Sequence, residues 1–585
     1  MITASNLRSL AIVAVCILIV ACGGGSVQNG NTNQSKPNRE PQVVGKPGGT
    51  ITHRVTTSIK TLNYYQADDE PSVLLTLFLL NDRLVALDHE KQEYVPSLAE
   101  SYQSTDDGNA VDVVLREGLK FSDGNPITSA DVEFSLKGAY DERTASPIFR
   151  DALLINGKEI AVKVQDDQRF QLILPERVAS IENYLENLAI LPKHVLESSK
   201  LAEVWKISSD PASVVSSGPF KVSSVLPGEK VVLVRNPHYW KKDSAGTPLP
   251  YLDSIVLEVV PDANNAIARL HQNSIDIADR IRTTDYAALK GAESTVRAID
   301  AGPGLASDHI WFNLNRAKKS GESLEATPKH KWFNDKRFRK AVAHAVDRQS
   351  IAVNTLQGLA TPLFGFVAGG NRAWVNNSLT KAEYDLAKAA ELLNEAGFST
   401  KEADGKRQLF DRDSNRVQFT LLVPAENEPR KLMAAVIQED LGKLGIEVQI
   451  APIDFQGLSE RWTTSFDYDA ILLGISLTAI DPSSYAGFLP TSGASHQWRP
   501  KQTEPATEWE AKVNELFSAQ AREIDRAARK QKFDEIQAVF AEEMPIVPIV
   551  SRHIVSAVNA RIGNHSPSGI LPFSLWNAER LFVKN

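Results

Sequence analysis

Two patterns of apolar and polar residues alternate along most of the chain. Between segments in which apolar residues recur at helical spacing lie short runs rich in β-branched residues and bounded by Gly, Pro, Asn or Asp. These runs, which predict strands, are VDVVLREGLKF (111–121), KVVLVRNPHYW (230–240), LDSIVLEVV (252–260), QFTLLV (418–423) and IEVQIAPI (446–453). The alternation of the two patterns predicts an α/β fold.

The ends of several helices can be predicted from capping residues. A helix containing Phe338 has a cap at Asn334 or Asp335, and the run YDLAKAAELLNEAG ends on Gly397, a residue suited to a left-handed stop. A long helical stretch from about Thr507 to Glu543 ends before Pro545, where the strand-like run PIVPIV begins. The second half of the chain is therefore expected to alternate helices with strands.

The N-terminal pattern differs from the rest. Residues 10–21 form an unbroken apolar run, which as a helix would reach about 18 Å, short of a hydrocarbon core of roughly 30 Å. We interpret residues 1–21 as a signal peptide; an uncleaved hydrophobic anchor is the alternative. The sequence IVAC resembles a bacterial lipobox, which predicts lipidation of Cys22, and the polar tract 22–46 is expected to be a flexible tether.

Composition and charge restrict the partners of the remaining chain. The full sequence of 585 residues is 42% hydrophobic and 23% charged, with a net charge of −8. This balance argues against nucleic acid or an anionic bilayer as the main partner. The only other cysteine, Cys16, lies in the predicted signal peptide, so neither a disulfide nor a cysteine zinc site is expected in the mature chain. The length suits two large lobes or several smaller domains.

Motifs for catalysis and cofactor binding are missing from the sequence. It contains no G-x-S-x-G elbow, no phosphate-binding loop, no H-E-x-x-H and no dinucleotide fingerprint after a strand. The 11 histidines do not share short metal-ligand spacings. We therefore expect no catalytic residue, no cofactor and no metal site.

One segment is unusually basic. Residues 316–340 contain nine Lys or Arg side chains against three acidic ones. We interpret the segment as a solvated loop and helix face, with docking onto an acidic partner as the alternative. The nine basic residues are Arg316, Lys318, Lys319, Lys329, Lys331, Lys336, Arg337, Arg339 and Lys340.

Several long stretches, taken in order, resemble the family 5 extracellular solute-binding proteins, the oligopeptide- and dipeptide-binding type that serves ABC importers. The resemblance runs from about Gly48 to the C-terminus. The stretches that carry it are PSLAESYQSTDDGNAVDVVLREGLKFSDGNPITSADVEFSLK (96–137), SSGPFKVSSVLPGEKVVLVRNPHYW (216–240), PYLDSIVLEVVPDANNAIARLHQNSIDIAD (250–279), WFNDKRFRKAVAHAVDRQSI (332–351) and LGKLGIEVQI (441–450).

The resemblance implies a two-lobed fold of the periplasmic-binding-protein type, with a hinge between the lobes. It is the type II form of that fold with an extra subdomain in lobe one. Lobe one is expected to comprise residues 47–305, including the extra subdomain at about 86–200, and residues 545–585, which return to it. Lobe two is then residues 306–544.

Peptide-binding members of the family typically carry an Asp four residues before the Pro of a DP-like turn. The matching stretch here is LLGISLTAIDPSSY (472–485), and the residue at that position is Thr478. A hydroxyl compensates a buried ammonium group poorly. The sequence therefore predicts that the ligand is not held chiefly through a free α-amino group, unless another carboxylate, of which Asp481 is nearest in sequence, replaces the missing one.

The expected function is a lipid-anchored substrate-binding protein of an ABC importer that captures a peptide-like or other small organic solute in the interlobe cleft. Expected partners are that solute, the permease and ATPase subunits, and the membrane through the lipid anchor only; the exported protein is expected to be a monomer. The alternatives are a sensory partner without transport and a secreted hydrolase. Residues expected to line the cleft are Tyr64, Tyr65, Trp311, Asn313, Thr478, Asp481 and Tyr485.

Overall fold

The computed structural model describes residues 41–145, 147–290, 295–403 and 405–584. The predicted signal peptide, Cys22 and most of the tether lie outside the described residues.

Strands occur throughout the described chain, and those predicted from the sequence are present. The run at 230–240, for example, forms β9, and the run at 418–423 forms β17. In chain order the strands are β1 (Thr50–Val55), β2 (Val85–Asp88), β3 (Glu93–Pro96), β4 (Ala99–Ser104), β5 (Ala110–Leu115), β6 (Ala161–Val164), β7 (Arg169–Ile173), β8 (Phe220–Leu226), β9 (Lys230–Arg235), β10 (Ser254–Val259), β11 (Ile277–Asp279), β12 (Val296–Pro303), β13 (Ala306–Phe312), β14 (Ala360–Pro362), β15 (Ser399–Ala403), β16 (Lys406–Phe410), β17 (Gln418–Pro424), β18 (Glu447–Ile453), β19 (Ala470–Ser476), β20 (Ile546–Asn559), β21 (Ile562–Gly563) and β22 (Phe582–Val583).

Helices alternate with these strands. In chain order they are α1 (Glu70–Val73), α2 (Ser129–Tyr140), α3 (Pro147–Leu153), α4 (Glu182–Leu185), α5 (Lys193–Leu196), α6 (Ala263–His271), α7 (Thr283–Lys290), α8 (Pro328–Asn334), α9 (Lys336–Ala345), α10 (Arg348–Ser350), α11 (Leu386–Glu395), α12 (Glu428–Gly442), α13 (Phe455–Glu460), α14 (Glu508–Gln520) and α15 (Arg526–Glu543). Shorter helical turns of other types include Tyr64–Gln66, Leu74–Leu80 and Pro482–Tyr485.

Helix ends follow the capping residues in the sequence. Asp335 caps α9 by accepting a hydrogen bond from the Arg337 amide at 2.9 Å. The single long helix predicted for residues 507–543 is wrong, because the structure has two helices there, α14 and α15. Asp525 accepts a hydrogen bond from the Ala528 amide at 2.8 Å and so starts a new helix within the stretch.

One large sheet contains strands from both ends and the middle of the described chain. Its strand order is β18-β17-β19-β13-β20-β11-β1-β10-β9-β8, and β12 and β14 also pair with β20. The 14-residue strand β20 pairs with β13 over Ile546–Val550 and with β11 over Ser556–Val558. A separate four-stranded sheet, β4-β5-β7-β6, is built from residues 99–173.

The buried apolar residues form two main clusters. The first contains β1, β10 and the four-stranded sheet, and it includes Tyr64, Phe121 and Phe220. The second contains β13, β17, β19 and the helices packed on them, and it includes Phe312 and Phe338. Strand β20 supplies Val547 to the second cluster and Val558 to the first. The two cores are therefore joined by a continuous strand.

The turn SSGPF needs glycine because another backbone segment comes very close. Gly218 does not have a positive φ. A Cβ atom at this position would lie 2.8 Å from the carbonyl carbon and oxygen of Leu80. The Gly218 amide also donates a hydrogen bond to that oxygen at 2.8 Å. The space for a side chain is thus filled by main-chain atoms.

We expect Gly218→Ala to lower the stability of the protein by about 1–3 kcal/mol, because backbone atoms must move to admit the methyl group. The matched control is Gly442→Ala in α12, where no atom lies within 4 Å of the added Cβ and where alanine should add about 0.5–1 kcal/mol. Thermal and urea unfolding of the two variants measure the effect. Equal stability of the two variants would contradict the close approach at Gly218.

Candidate ligand-binding site

Tyr64 and Tyr65 lie in the first core. They form a helical turn after β1, and neither side chain has accessible surface. The Tyr64 hydroxyl donates to the carbonyl of Asn187, and that of Tyr65 donates to the carbonyl of Ser135 at 3.0 Å. The Tyr64 ring packs on Phe149 with centroids 4.4 Å apart. In this conformation both tyrosines connect the N-terminal segment to the region of α2 and α4.

Trp311 and Asn313 lie in the second core, at and just beyond the end of β13. Trp311 is fully buried and packs on Trp462 with ring centroids 5.3 Å apart. The Asn313 amide donates to the carbonyls of Phe466 and Tyr468, at 2.9 Å each. Asn313 also lines a cavity of about 600 Å³ whose walls include Lys329 and Asp469. The structure therefore places Trp311 and Asn313 apart from Tyr64 and Tyr65, which belong to the other cluster.

Thr478, Asp481 and Tyr485 lie in and after the turn that follows β19. Thr478 is exposed. Asp481 is 3% exposed and accepts two hydrogen bonds from Arg529, at 2.7 and 2.8 Å. Tyr485 packs on Phe366, with ring centroids 5.2 Å apart. Of the seven residues expected to line the cleft, Thr478 alone is largely exposed; Asp481 already has a bidentate cationic partner.

The ion pair of Asp481 with Arg529 organises this turn. Asp481 also caps Pro482–Tyr485 by accepting a hydrogen bond from the Ser483 amide at 2.9 Å. Arg529, on α15, is 3% exposed, and its guanidinium carbon lies 5.0 Å from the centroid of the Trp374 ring. A carboxylate held in this way is not available as the replacement amine partner suggested by its position in the sequence.

A second carboxylate near this turn was missed in the sequence. Glu186 follows α4 and accepts a hydrogen bond from the Tyr94 hydroxyl at 2.7 Å. Burial raises the pKa of Glu186 to about 7. The positive charge of Arg83 opposes this rise, and the negative charge of Asp481 adds to it. In the described part of the chain, no cationic group lies within ion-pair distance of Glu186.

Arg83 is a cationic side chain close enough to Glu186 to influence its pKa. Its guanidinium carbon lies 4.9 Å above the Phe78 ring, and its buried Nε has no hydrogen-bond partner among the described residues. Arg83 influences the pKa of Glu186, yet the two side chains do not form an ion pair. Two side chains of opposite charge thus influence each other, and neither forms an ion pair with any described residue.

Hydrogen bonds connect this region to the second core. The Gln92 amide donates to the carbonyl of Gly370 at 2.6 Å, and its oxygen accepts from the Ala373 amide at 3.2 Å. Asn371, in the same loop, donates to the carbonyl of Ile480 at 2.7 Å. The ribbon β2–β3, which carries Tyr94, therefore contacts a loop that is bonded to the residue before Asp481. Tyr94 and Glu186 lie where the two cores meet.

The basic segment 316–340 is largely paired within the protein. Lys318 bonds Asp467, Lys329 bonds Asp469, and Lys336 bonds Glu543, at 3.0, 2.6 and 2.9 Å. Arg339 is buried and donates to the carbonyls of Met544 and Phe333. These contacts favour a structural role for the segment over docking onto an acidic partner.

The described ranges contain neither a metal-binding cluster nor a membrane-spanning helix. No group of three or more His, Cys, Asp and Glu side chains there is arranged to hold a metal ion. Nor is any helix in that part of the chain both long and apolar enough to span a bilayer.

Comparison with known proteins identifies the family. Residues 93–497 match the bacterial extracellular solute-binding proteins, family 5. The chain belongs to this family. It is 27% identical over 545 residues to a probable ABC transporter-binding protein of Deinococcus radiodurans, with 88% of this chain and 89% of the relative covered. It is 26% identical over 548 residues to the oligopeptide-binding protein AppA of Bacillus subtilis, with 91% of each covered.

Solved structures of family 5 proteins agree with this fold. The ABC transporter substrate-binding protein CtaP of Listeria monocytogenes superposes with a TM-score of 0.74 at 23% identity, covering 92% of this chain and 100% of the other. AppA of Bacillus subtilis, in complex with a nonapeptide, gives a TM-score of 0.64 at 25% identity, with the same coverage. The predicted α/β fold of the periplasmic-binding-protein type is confirmed. The family 5 relatives are solute-binding proteins and not enzymes, so this protein is a solute-binding protein.

We expect Asp481→Asn to lower the stability of the protein by about 3–5 kcal/mol, because the Arg529 charge stays buried without its carboxylate. The double variant Asp481→Asn with Arg529→Met should recover much of this loss. As a control, Glu391→Gln breaks an exposed 2.8 Å pair with Lys388 and should change stability by less than about 0.5 kcal/mol. A double-mutant cycle by thermal unfolding tests the coupling, and a neutral Asp481→Asn would contradict the structural role of the pair.

Proposed function

We propose that this protein is the lipid-anchored substrate-binding component of an ABC importer, and that it captures a peptide-like or other small organic solute between two lobes. The observation that carries the proposal is membership of the family 5 solute-binding proteins. Relatives named as an ABC transporter-binding protein and an oligopeptide-binding protein support both the importer and the class of solute.

The proposed lobes are residues 47–305 with 545–585, including the extra subdomain at about 86–200, and residues 306–544. The two separate apolar clusters support this division. The pairing of β20 suggests that the chain returns to lobe one inside this strand, after Val550, which is its last residue paired with β13. The passage from β12 to β13 supplies the other crossing. Two crossings allow a hinge motion of one lobe against the other.

The proposed cleft is the junction near Tyr94, Glu186 and the loop at Gly370. Two contacts bring the extra subdomain against the second core. The Gln92 side chain donates to the carbonyl of Gly370, and the Ala179 amide donates to the carbonyl of Ala521 at 2.8 Å. Such contacts would break and form again as the lobes open and close. Thr478, at the exposed turn, remains a proposed ligand contact. The buried residues Tyr64, Tyr65, Trp311, Asn313 and Tyr485 would contact ligand only if the open form exposes them.

Lobe closure can be measured by the distance between two spin labels, because the mature chain would contain Cys22 as its sole cysteine. The labels are placed at Glu117 and Arg461, which are both exposed. We expect them to move apart when the native solute is removed by unfolding and refolding the protein. They should return to the original distance when the removed small-molecule fraction is added back. Labels at Glu117 and Lys163, both within the extra subdomain, are the control and should not move. Identical distances for Glu117 and Arg461 in all three states would contradict closure around a solute.

The anchor is proposed from the lipobox resemblance at Cys22. Two acyl chains would hold the protein at the membrane, since each buried methylene contributes roughly 0.8 kcal/mol. We expect Cys22→Ser to release the protein from the membrane fraction or to leave it unprocessed, as measured by fractionation and intact mass. Cys16→Ser, within the segment to be removed, is the control and should change neither. A mature, membrane-bound Cys22→Ser protein would contradict lipid anchoring.

A further inference from the structure

The cavity of about 600 Å³ in the second core lies away from the point where β20 passes between the cores. All of its lining residues fall between Asn313 and Asp469, so it belongs to the proposed lobe two alone. Asn313 follows β13, whereas Asp308, within β13, is the partner of Val550. At about 3.4 Å per residue, this stretch of β13 places Asn313 roughly 17 Å from Val550. We call this space the distal cavity, because it is separate from the proposed cleft.

The distal cavity has the size and the mixed walls of a small-molecule site. Its volume falls within the roughly 300–1,000 Å³ that is typical of ligand pockets. Strand β17 contributes Gln418, Thr420 and Leu422, alternate residues that lie on one face of the sheet. The buried aromatic residues Trp332 and Tyr468 also line it. A sugar-sized molecule would meet both apolar and hydrogen-bonding groups there.

Each carboxylate in the wall of the distal cavity is already paired with a lysine. Lys318 lies 3.0 Å from Asp467 and 3.0 Å from Glu322. Lys329 lies 2.6 Å from Asp469. These carboxylates therefore need no cationic group from a ligand.

One arginine in the same wall is not paired. Arg416 lies 2.6 Å from Glu447, but Arg461, just after α13, is exposed and has no carboxylate of a described residue within ion-pair distance. The side chains of Gln418 and Thr420 likewise form no hydrogen bond with any described residue. The groups that the walls leave for a ligand are thus one positive charge, one amide and one hydroxyl.

We propose that the distal cavity binds a small organic molecule that carries a carboxylate or phosphate group. Arg461 pairs with that group, and Gln418 and Thr420 bond to hydroxyl groups on the rest of the molecule. A guanidinium suits either anion, because its parallel N–H donors match two oxygens of a carboxylate or a phosphate. None of these three residues belongs to those proposed for the cleft, so the site is additional to it.

The test is calorimetry on the full-length protein at low ionic strength with three probes: glucose 6-phosphate, glucuronate and glucose. We expect at least one of the two acids to bind, and glucose, which lacks the anionic group, to fail over the same concentrations. Comparison of the two acids separates phosphate from carboxylate recognition. The affinity should fall as salt is added, because the interaction of an exposed charge is screened.

Arg461→Met should weaken binding of the better acid by roughly tenfold or more, since hydrogen bonds to charged groups are among the stronger ones. Thr420→Val, which keeps the branched shape, should cause a smaller loss. Arg407→Met is the matched control: Arg407 is an exposed arginine on β16 and does not line the cavity. This control should change the affinity by less than about twofold. Thermal unfolding checks that each variant is folded.

Failure of both acids to bind, equal binding of glucose, or equal affinity of wild type and Arg461→Met would each overturn the proposal. An equal loss of affinity in Arg407→Met would also overturn it, because the acids would then respond to net charge and not to the cavity. None of these results bears on solute capture in the proposed cleft, which the stripped small-molecule fraction tests separately.

Discussion

The continuity of β20 is the constraint on which the rest of the structure depends. A single 14-residue strand forms backbone hydrogen bonds with β13 near its start and with β11 and β12 near its end. Backbone groups in a buried strand must be paired, so each core requires the other half of the same strand to be correctly placed. The register shifts between Asp308 and His309, beside Pro548, where a residue without an amide hydrogen is tolerated.

Buried arginines fix the helices of the second core to this strand. Arg348 donates to the carbonyl of Pro548 at 2.7 Å, and Arg339 donates to that of Met544 at 2.9 Å, just before the strand begins. Burial lowers the pKa of each guanidinium to about 10, and both still remain charged at neutral pH. Asp481 and Arg529 form a further buried ion pair, at 2.7 Å, in the turn after β19.

Local sequence rules predicted the elements well but not the side chains that face the junction. Strand composition located β9, β10, β17 and β18, and Asp335 was correctly among the two candidate caps of α9. The break between α14 and α15 was missed because apolar spacing continues through it, while Asp525 starts a new helix. Tyr64 and Trp311 fit an aromatic binding site by composition; their complete burial depends on contacts with distant segments.

Glu186 could not be recognised from its own neighbourhood. In the run IENYLENLAI (181–190), two glutamates on a short polar helix are typical of a solvated surface. Both side chains are half-buried. They differ in their hydrogen-bond donors, which come from tertiary structure: Tyr94 donates to Glu186, and Tyr102 donates to Glu182. The missing carboxylate at Thr478 was a local signal, but the sequence pointed to Asp481 as its replacement, and Arg529, 48 residues further on, already occupies that carboxylate.

Native mass spectrometry of the protein purified from its own cells tests the central claim most directly. The account predicts one small organic solute per chain, which is released on unfolding. A protein that carries no solute and gains stability from no small-molecule fraction of the cell would contradict it.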